Sequence, residues 1–284
     1  EALTTADFLD PVPILKNLSR GSNKGGDAKQ TTALNQPKAL PLIDNEGYCF
    51  FPSVSGNYAS TPDDSSLDIT GDITIECDFI VPQFPLGWER SLVAKYNTST
   101  NNRSYSLIIK ASGSISLTLS EDGTYNSDFD KTRDFSSVLS GKTRATVKVT
   151  WRQSDGLTQF FIKENDGSFT QVSDDHTIAA TSIYNSNQEV EIGATNSGTS
   201  NNYSSLGVFG ARIYASVDGT DKRLDVDFTA TNVRHGDTKF KCATGQVVTV
   251  NKSGNDPATI IKKSVLRFDS VNNFMDGVLN QTVT

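Results

Sequence analysis

The feature of this chain that most constrains its fold is a two-residue alternation of apolar and polar side chains. In Ile73–Phe79 the residues Ile, Ile, Cys and Phe alternate with Thr, Glu and Asp without a break. A period of two puts successive side chains on opposite sides of a β-strand, so one side is buried and the other meets water. This arrangement is typical of antiparallel sheets with one solvated face. The pattern recurs in Tyr105–Ile109, Ile115–Leu119, Ala145–Trp151, Val190–Ile192, Phe209–Ala215 and Leu224–Phe228.

The segments between these strands are short and polar, which predicts an all-β chain. The one helical candidate is a short stretch around Phe135–Leu139. Asp-Gly pairs, which supply the positive φ that tight hairpins need, stand between strand candidates at residues 122–123, 155–156, 166–167 and 218–219. Across the second of these we expect Trp151 to pair with Phe160. So many alternating strands without an intervening helical period predict a two-sheet antiparallel sandwich.

Charge and apolar patterning exclude two classes of partner. The chain has 26 Lys and Arg residues against 33 Asp and Glu residues, a formal net charge of -7. A phosphate backbone requires a basic face, so we expect no nucleic-acid partner. No run approaches the roughly 18 apolar residues of a membrane helix, so we expect no membrane insertion. The three cysteines, Cys49, Cys77 and Cys242, form no C-x-x-C motif, which argues against a zinc knuckle or a redox pair.

The composition divides the chain into three predicted parts: an extended N-terminal arm or linker at residues 1–42, the sandwich at residues 43–254, and a C-terminal strand segment at residues 255–284. Residues 19–27 are rich in Gly, Ser and Asn, and prolines prevent a long helix before residue 42. Two readings of the arm stay open. It is either a flexible tail or a segment that becomes ordered on a neighbouring subunit, held by Phe8, Leu9, Ile14 and Leu15.

The C-terminal segment contains a second hint of assembly. Phe268–Phe274 resembles Phe51–Tyr58 with a one-residue offset, as if it opened a second module. Alternatively, the segment that includes Leu266 and Phe268 donates a strand to a neighbouring copy, or the similarity arises by chance. We favour assembly and expect a homo-oligomer, because a lone apolar strand needs a partner.

Aromatic residues in polar loops are the candidate ligand contacts. Rings flanked by amide side chains can stack on sugar rings while the amides bind hydroxyl groups. The simpler alternative is that each ring packs against its own loop. The candidates are Trp88, Tyr125, Tyr184 and Tyr203, together with Asn201 and Asn202.

Metal binding and catalysis have weaker signals. The best acidic candidates for calcium are Asp63, Asp64 and Asp122, but their spacing is not that of an EF-hand, and acidic residues are ordinary in solvated turns. We therefore expect no resident metal and no cofactor.

Pairs of acids two positions apart occur at residues 76 and 78, 189 and 191, and 225 and 227. All are expected on the wet side of a strand, where charge is normal, so we predict a non-enzymatic protein without catalytic residues.

Three groups of segments resemble the concanavalin A-like, laminin-G-like modules common in virion proteins of tailed phages. They are Gly56–Asp64 with Leu67–Ile73, Ile192–Gly193 with Gly207–Tyr214, and Leu224–Phe228 with Ala243–Gly254. The resemblance covers roughly residues 48–254 and implies a jelly-roll sandwich with roles in virion exteriors, fibres and glycan contact. The family also contains lectins and glycanases, but the E-x-D-x-x-E strand of its glucanase branch is not found here.

Three functions of different classes follow. The first is a structural protein on the exterior of a tailed-phage virion, either capsid decoration or fibre, whose partners are other virion proteins and cell-surface glycans. The second is a lectin-like carbohydrate-binding or receptor-binding module. The third, least supported by these residues, is a polysaccharide-cleaving enzyme.

Overall fold

The computed structural model describes residues 47–81, 86–139, 144–165, 167–172, 174–196, 198–199, 205–254 and 257–262, with the backbone of four two-residue strands elsewhere. The chain divides into two compact units, Gly47–Ile261 and a unit formed by residues 1–46 and 262–284. In the latter, Ile14–Leu15 pairs with Ala28–Lys29, and Lys38–Ala39 pairs antiparallel with Leu266–Arg267. Phe8, Leu9 and Phe268 lie outside the described residues, as does the predicted arm apart from the three short strands Ile14–Leu15, Ala28–Lys29 and Lys38–Ala39.

Residues 47–261 form two antiparallel sheets, which confirms the predicted all-β sandwich. The strands of the first sheet are β1 (Tyr48–Phe51), β3 (Ile73–Ile80), β8 (Ala145–Trp151), β9 (Leu157–Glu164), β10 (Thr170–Gln171), β11 (His176–Thr177), β13 (Leu206–Tyr214), β14 (Lys222–Asp227) and β17 (Thr259–Ile261). Those of the second sheet are β2 (Tyr58–Thr61), β4 (Arg90–Asn97), β5 (Asn102–Ile109), β6 (Ser114–Leu119), β7 (Asp130–Asp134), β12 (Val190–Ile192), β15 (Lys239–Lys241) and β16 (Val247–Asn251). A short helix, α1 (Ser136–Leu139), occupies the predicted helical stretch.

The chain crosses repeatedly between the sheets, as expected of a jelly-roll sandwich. The first sheet has the order β10-β9-β8-β3-β13-β1-β17, with β11 beside β9 and β14 beside β13. The second has the order β7-β6-β5-β4-β12-β2-β16-β15. Because β17 pairs with β1, the sandwich continues past residue 254, the predicted boundary.

The predicted alternation accounts for the core between the sheets. In β3 the side chains of Ile75, Cys77 and Phe79 are fully buried, while Glu76 and Asp78 are half-buried on the outer side. Trp151 is fully buried and its Nε1 donates to the carbonyl oxygen of Ile178 at 3.1 Å. Inward apolar residues of both sheets form one continuous core, so the sandwich is a single folding unit.

The turns confirm the Asp-Gly predictions in part. Gly156 has a φ of +70°, as a tight hairpin turn requires. The predicted pairing of Trp151 with Phe160 is wrong, because Trp151 pairs with Thr158. The hairpin closes earlier than expected, since the amide of Arg152 donates to the carbonyl oxygen of Leu157. In the turn before Gly167 the residue with positive φ is Asn165, at +47°.

Within the described residues, no helix is long and apolar enough to cross a membrane. All three cysteines are buried and free. Cys77 packs among apolar neighbours on the inner side of β3, as the alternation predicts.

Candidate functional site

A groove of about 640 Å³ lies on the outer face of the second sheet, over strands β4, β5 and β6. It follows the strand direction. Glu89 and Lys110 stand at one end, which we call the Glu89 end, and Tyr96 and Arg103 stand at the other, which we call the Tyr96 end. The β4–β5 ladder brings the two residues of each end together. Tyr96 is opposite Arg103, and Arg90, which follows Glu89, is opposite Ile109, which precedes Lys110.

The floor of the groove consists of outward-facing side chains of neighbouring strands, most of them small hydroxyl residues. It includes Ser91 of β4, Ser106 and Ile108 of β5, and Thr118 of β6. Ser106 is opposite Thr118, and Ser91 is opposite Ile108, so these residues share one surface. The sequence creates this depression through the same alternation that builds the core, because small outward residues leave room between taller loops.

One wall is the loop that follows β12, of which Ala194, Thr195, Asn196 and Thr199 line the groove. Asn196 has a φ of +57°, a left-handed conformation that asparagine tolerates better than most residues. Its Oδ1 accepts hydrogen bonds from the amide of Thr98 at 2.6 Å and from the Thr98 hydroxyl at 3.2 Å. This side chain therefore ties the wall to the turn between β4 and β5.

Glu191 supports the same wall from below. Its carboxylate is fully buried, and Oε2 accepts a hydrogen bond from the amide of Gly198 at 2.9 Å. The expectation that this acid lies on a wet strand face is therefore wrong. The amide of Gly198, in the loop after β12, donates to this carboxylate on the outward side of the strand. The alternation within the strand cannot predict this contact, because the donor belongs to the following loop.

The Tyr96 end is held together by a buried arginine. The guanidinium of Arg103 donates to the Asn101 side chain at 2.7 Å, to the carbonyl oxygen of Thr98 at 3.0 Å and to that of Gly123 at 3.1 Å. It also lies 5.6 Å from the centre of the Tyr96 ring. Arg103 thus joins the β4–β5 turn to the loop between β6 and β7, from which Tyr125 projects into the groove.

The two tyrosines at this end differ in their exposure. Burial raises the pKa of Tyr96 to about 12, although Arg103 opposes this shift. The Tyr96 hydroxyl therefore keeps its proton at neutral pH and can both donate and accept a hydrogen bond. Tyr125 is 55% exposed and offers its ring face to a ligand.

The charged groups of the groove already have partners. Lys110 Nζ lies 3.4 Å from Glu89 Oε1. The carboxylate of Asp130 accepts a hydrogen bond from the Ser116 hydroxyl. Arg103 is bound to protein oxygen atoms. The groove therefore presents a polar surface on which two cations, Arg103 and Lys110, and two carboxylates, Glu89 and Asp130, all have protein partners.

The structure brings one of the predicted contact residues, Tyr125, to this groove. Trp88 is 64% exposed and directly precedes Glu89 in the chain, but it does not line the groove. Tyr184 is half-buried beside Gly123 and does not line the groove. Tyr203, Asn201 and Asn202 lie outside the described residues.

The candidate calcium ligands have other partners. Asp63 Oδ1 lies 2.8 Å from Lys95 Nζ, Asp64 caps a short 3-10 helix through the amide of Ser66, and Asp122 accepts from the amide and hydroxyl of Thr124. In the part of the chain that the structure describes, no three His, Cys, Asp or Glu residues are placed to hold a metal ion, so these three acids do not form one site.

Two of the acidic pairs lie on the outer face of the first sheet and are engaged by cations. Asp78 binds Arg144 through both carboxylate oxygens, with contacts of 2.6 and 2.9 Å. Asp225 contacts Arg212 at 3.0 Å and Lys222 at 2.8 Å. These contacts stabilise the sheet surface and are an ordinary use of charge on a wet face.

Sequence reasoning missed the floor and most of the Tyr96 end, including Tyr96, Arg103 and Asn196. One signal was present. Serine and threonine occupy the outward positions of two consecutive strands, in Ser104-Tyr-Ser106 and Ser114-Ile-Ser116-Leu-Thr118, on either side of a short turn. Small hydroxyl residues on adjacent strands predict a polar depression between the flanking loops.

The sequence matches no protein-family model and no curated protein. Solved structures with a similar fold include the IT-sialidase CBM40 of Ruminococcus gnavus bound to α2,3-sialyllactose, at 14% identity, 59% coverage of this chain, 92% of that chain and a TM-score of 0.38. Domains LG4-5 of the mouse laminin α1 chain share 13% identity over 64% of this chain and 44% of that chain, with a TM-score of 0.42. The heptameric SAP-like pentraxin of Limulus polyphemus shares 14% identity over 62% of this chain and 79% of that chain, with a TM-score of 0.39.

None of these three structures is named as a phage virion protein. The similarity at these identities concerns the fold alone. The chain is an antiparallel jelly-roll β-sandwich with a polar groove on the outer face of one sheet.

Proposed function

We propose that this protein is a lectin-like carbohydrate-binding module and that the groove on the second sheet holds the saccharide. The observation that carries the proposal is the combination of a hydroxyl-lined floor with an exposed tyrosine ring at one end. Sugar recognition needs an apolar ring face for stacking and a few fixed polar groups for the hydroxyl groups. Tyr125 supplies the first, and Ser106, Thr118 and the Asn196 amide supply the second.

The groove favours binding over hydrolysis. A retaining glycosidase places two carboxyl groups about 5–5.5 Å apart at the scissile bond. The two carboxylates that line this groove have separate partners, because Glu89 contacts Lys110 and Asp130 contacts Ser116. Because these two carboxylates are engaged by different partners, we propose a non-catalytic role.

Replacing Tyr125 with alanine tests this proposal. We expect saccharide affinity to fall roughly tenfold, equivalent to about 1.4 kcal/mol, because the stacking surface is lost while the core is untouched. The ligand is first identified on a glycan array, with calcium and with EDTA, and affinity is then measured by calorimetry.

The matched control is Phe161→Ala, which removes a half-buried ring from the outer face of the first sheet. This variant should bind as the parent protein does. Failure of the parent protein to bind any glycan on the array would overturn the proposal, as would equal affinity of the Tyr125 variant and the parent.

A virion-exterior role remains a proposal that rests on the terminal segments and on the sequence resemblance. In the structure Lys38–Ala39 pairs with Leu266–Arg267 of the same chain, so the two terminal regions are connected to each other. Assembly through the termini is compatible with a saccharide site on the sandwich.

Deletion of residues 1–42 tests the attachment role. We expect the sandwich to keep its β-sheet circular dichroism, since its core lies within residues 47–261, while incorporation into particles is lost. Incorporation at the parental level would show that the arm has no such role.

A further inference from the structure

We infer that the ligand of the groove is an uncharged saccharide chain several units long, lying parallel to β4 and β5. This inference rests on the proposed function and specifies the ligand of the same site. It follows from the length of the groove, the position of two exposed aromatic rings and the pairing of its charges.

The length of the groove is set by the two strands beneath it. Seven residue steps separate Glu89 from Tyr96 on one strand, and seven separate Arg103 from Lys110 on the other. At about 3.3 Å per residue, and with two irregularities in the ladder, this corresponds to roughly 20 Å. A single sugar ring would occupy only a small part of that length, whereas an extended chain would contact both ends.

One exposed aromatic ring lines the groove, and a second belongs to the residue directly before its Glu89 end. Among the described residues, Trp88 and Tyr125 are the two aromatic side chains with large exposed surfaces. Tyr125 lines the Tyr96 end, and Trp88 directly precedes Glu89 in the chain but does not line the groove itself. A ligand that stacks on Tyr125 and extends along the floor past Glu89 would therefore come within reach of Trp88.

The charges of the groove indicate an uncharged ligand. Lys110 lies 3.4 Å from Glu89, so an acidic sugar at the Glu89 end would approach a carboxylate together with the cation. The guanidinium at the Tyr96 end is buried and bound to three oxygen atoms, so it offers little to a ligand carboxylate. The protein as a whole has a formal charge of -7, which disfavours an anionic chain.

The test compares the length and the charge of oligosaccharides on the full chain. Calorimetry is performed with malto-, cello- and xylo-oligosaccharides of two to six units, and with sialyllactose and oligogalacturonates as acidic probes. We expect one neutral series to bind at least ten times more tightly at six units than at two. The acidic probes should bind at least ten times more weakly than the best neutral hexamer.

Two variants locate the chain in the groove. Trp88→Ala should weaken the hexamer at least fivefold and leave the dimer unchanged, because only the longer ligand reaches the Glu89 end. Tyr125→Ala should weaken both. The double variant Glu89→Gln/Asp130→Asn removes both carboxylates from the lining of the groove and should gain affinity for oligogalacturonates. Thermal unfolding checks that each variant is folded.

Each outcome distinguishes this inference from the proposed function. Equal affinity for dimer and hexamer, preference for an acidic probe, or an unchanged hexamer affinity after Trp88→Ala would overturn the inference and leave carbohydrate binding intact. Absence of binding to every neutral and acidic probe would overturn both.

Discussion

Replacing Lys95 with alanine is expected to lower the free energy of unfolding by about 3 kcal/mol. The Lys95 side chain is 1% exposed, and its Nζ lies 2.8 Å from Asp63 Oδ1 and 3.0 Å from Asp68 Oδ1. Its removal would leave two neighbouring carboxylates without their cation and a void where the aliphatic chain was packed. The effect should fall at the lower end of the range for buried pairs, because the two carboxyl side chains are 36% and 29% exposed and keep access to water.

The neighbouring tyrosine strengthens this expectation. Burial, together with the charges of Asp63 and Asp68, raises the pKa of Tyr105, so its hydroxyl stays protonated beside the two acids. Without Lys95, both carboxylates would lose the ion pair that they form in the described part of the chain. Urea denaturation followed by tryptophan fluorescence measures the change, with Lys95→Met as a variant that keeps most of the buried volume.

Lys110→Ala is the matched control, because Lys110 is also a lysine on the second sheet with an acidic partner. Its side chain is 28% exposed and its contact with Glu89 is longer, at 3.4 Å. Surface pairs of this kind contribute about 0–1 kcal/mol. A loss of stability for Lys95→Ala no larger than for this control would show that the buried ion cluster is not a stabilising element.

Gly123→Ala should have the second large effect, on stability and on saccharide binding together. Gly123 has a φ of +87°, and a Cβ atom added there would stand 2.3 Å from the carbonyl oxygen of Asn101. A left-handed alanine costs about 1–2 kcal/mol, and the displaced backbone adds a further 1–3 kcal/mol. Because the Gly123 carbonyl accepts from Arg103, the shift should also move the loop that carries Tyr125.

The control for this change is Gly236→Ala. Gly236 has a φ of +77°, and nothing lies within 4 Å of an added Cβ. This variant isolates the backbone cost, so it should lose about 1–2 kcal/mol and bind saccharide normally. Equal losses in the two variants, with binding intact in both, would contradict a tight contact between Gly123 and the β4–β5 turn.

The fold could be predicted because the alternation of apolar and polar residues within each strand distinguishes a buried face from a solvated face. In β3 the buried residues Ile75, Cys77 and Phe79 and the outer residues Glu76 and Asp78 follow the order in the sequence. The strand register could not be predicted in the same way. It depends on how each turn closes, and one hydrogen bond from Arg152 to Leu157 moved the partner of Trp151 by two residues.

The site was predictable only where single residues stand out. Trp88 and Tyr125 were identified as large rings in polar loops; both are exposed, and Tyr125 lines the groove. Arg103 and Asn196 act through residues in other loops, and no local pattern reveals such contacts. The burial of Glu191 depends on Gly198, which belongs to the next loop of the chain.

The bonds of Arg103 to both neighbouring loops have a practical consequence for altering specificity. The Thr98 and Asn101 end of one loop and Gly123 of the other are attached to the same guanidinium, so neither loop can take a new conformation while the other keeps its present one. Libraries that randomise one loop alone would mostly yield misfolded or inactive clones. Variants that change residues 98–102 and 121–126 together but keep Asn101, Arg103 and Gly123 would preserve the shared anchor and change only the surface presented to the proposed saccharide.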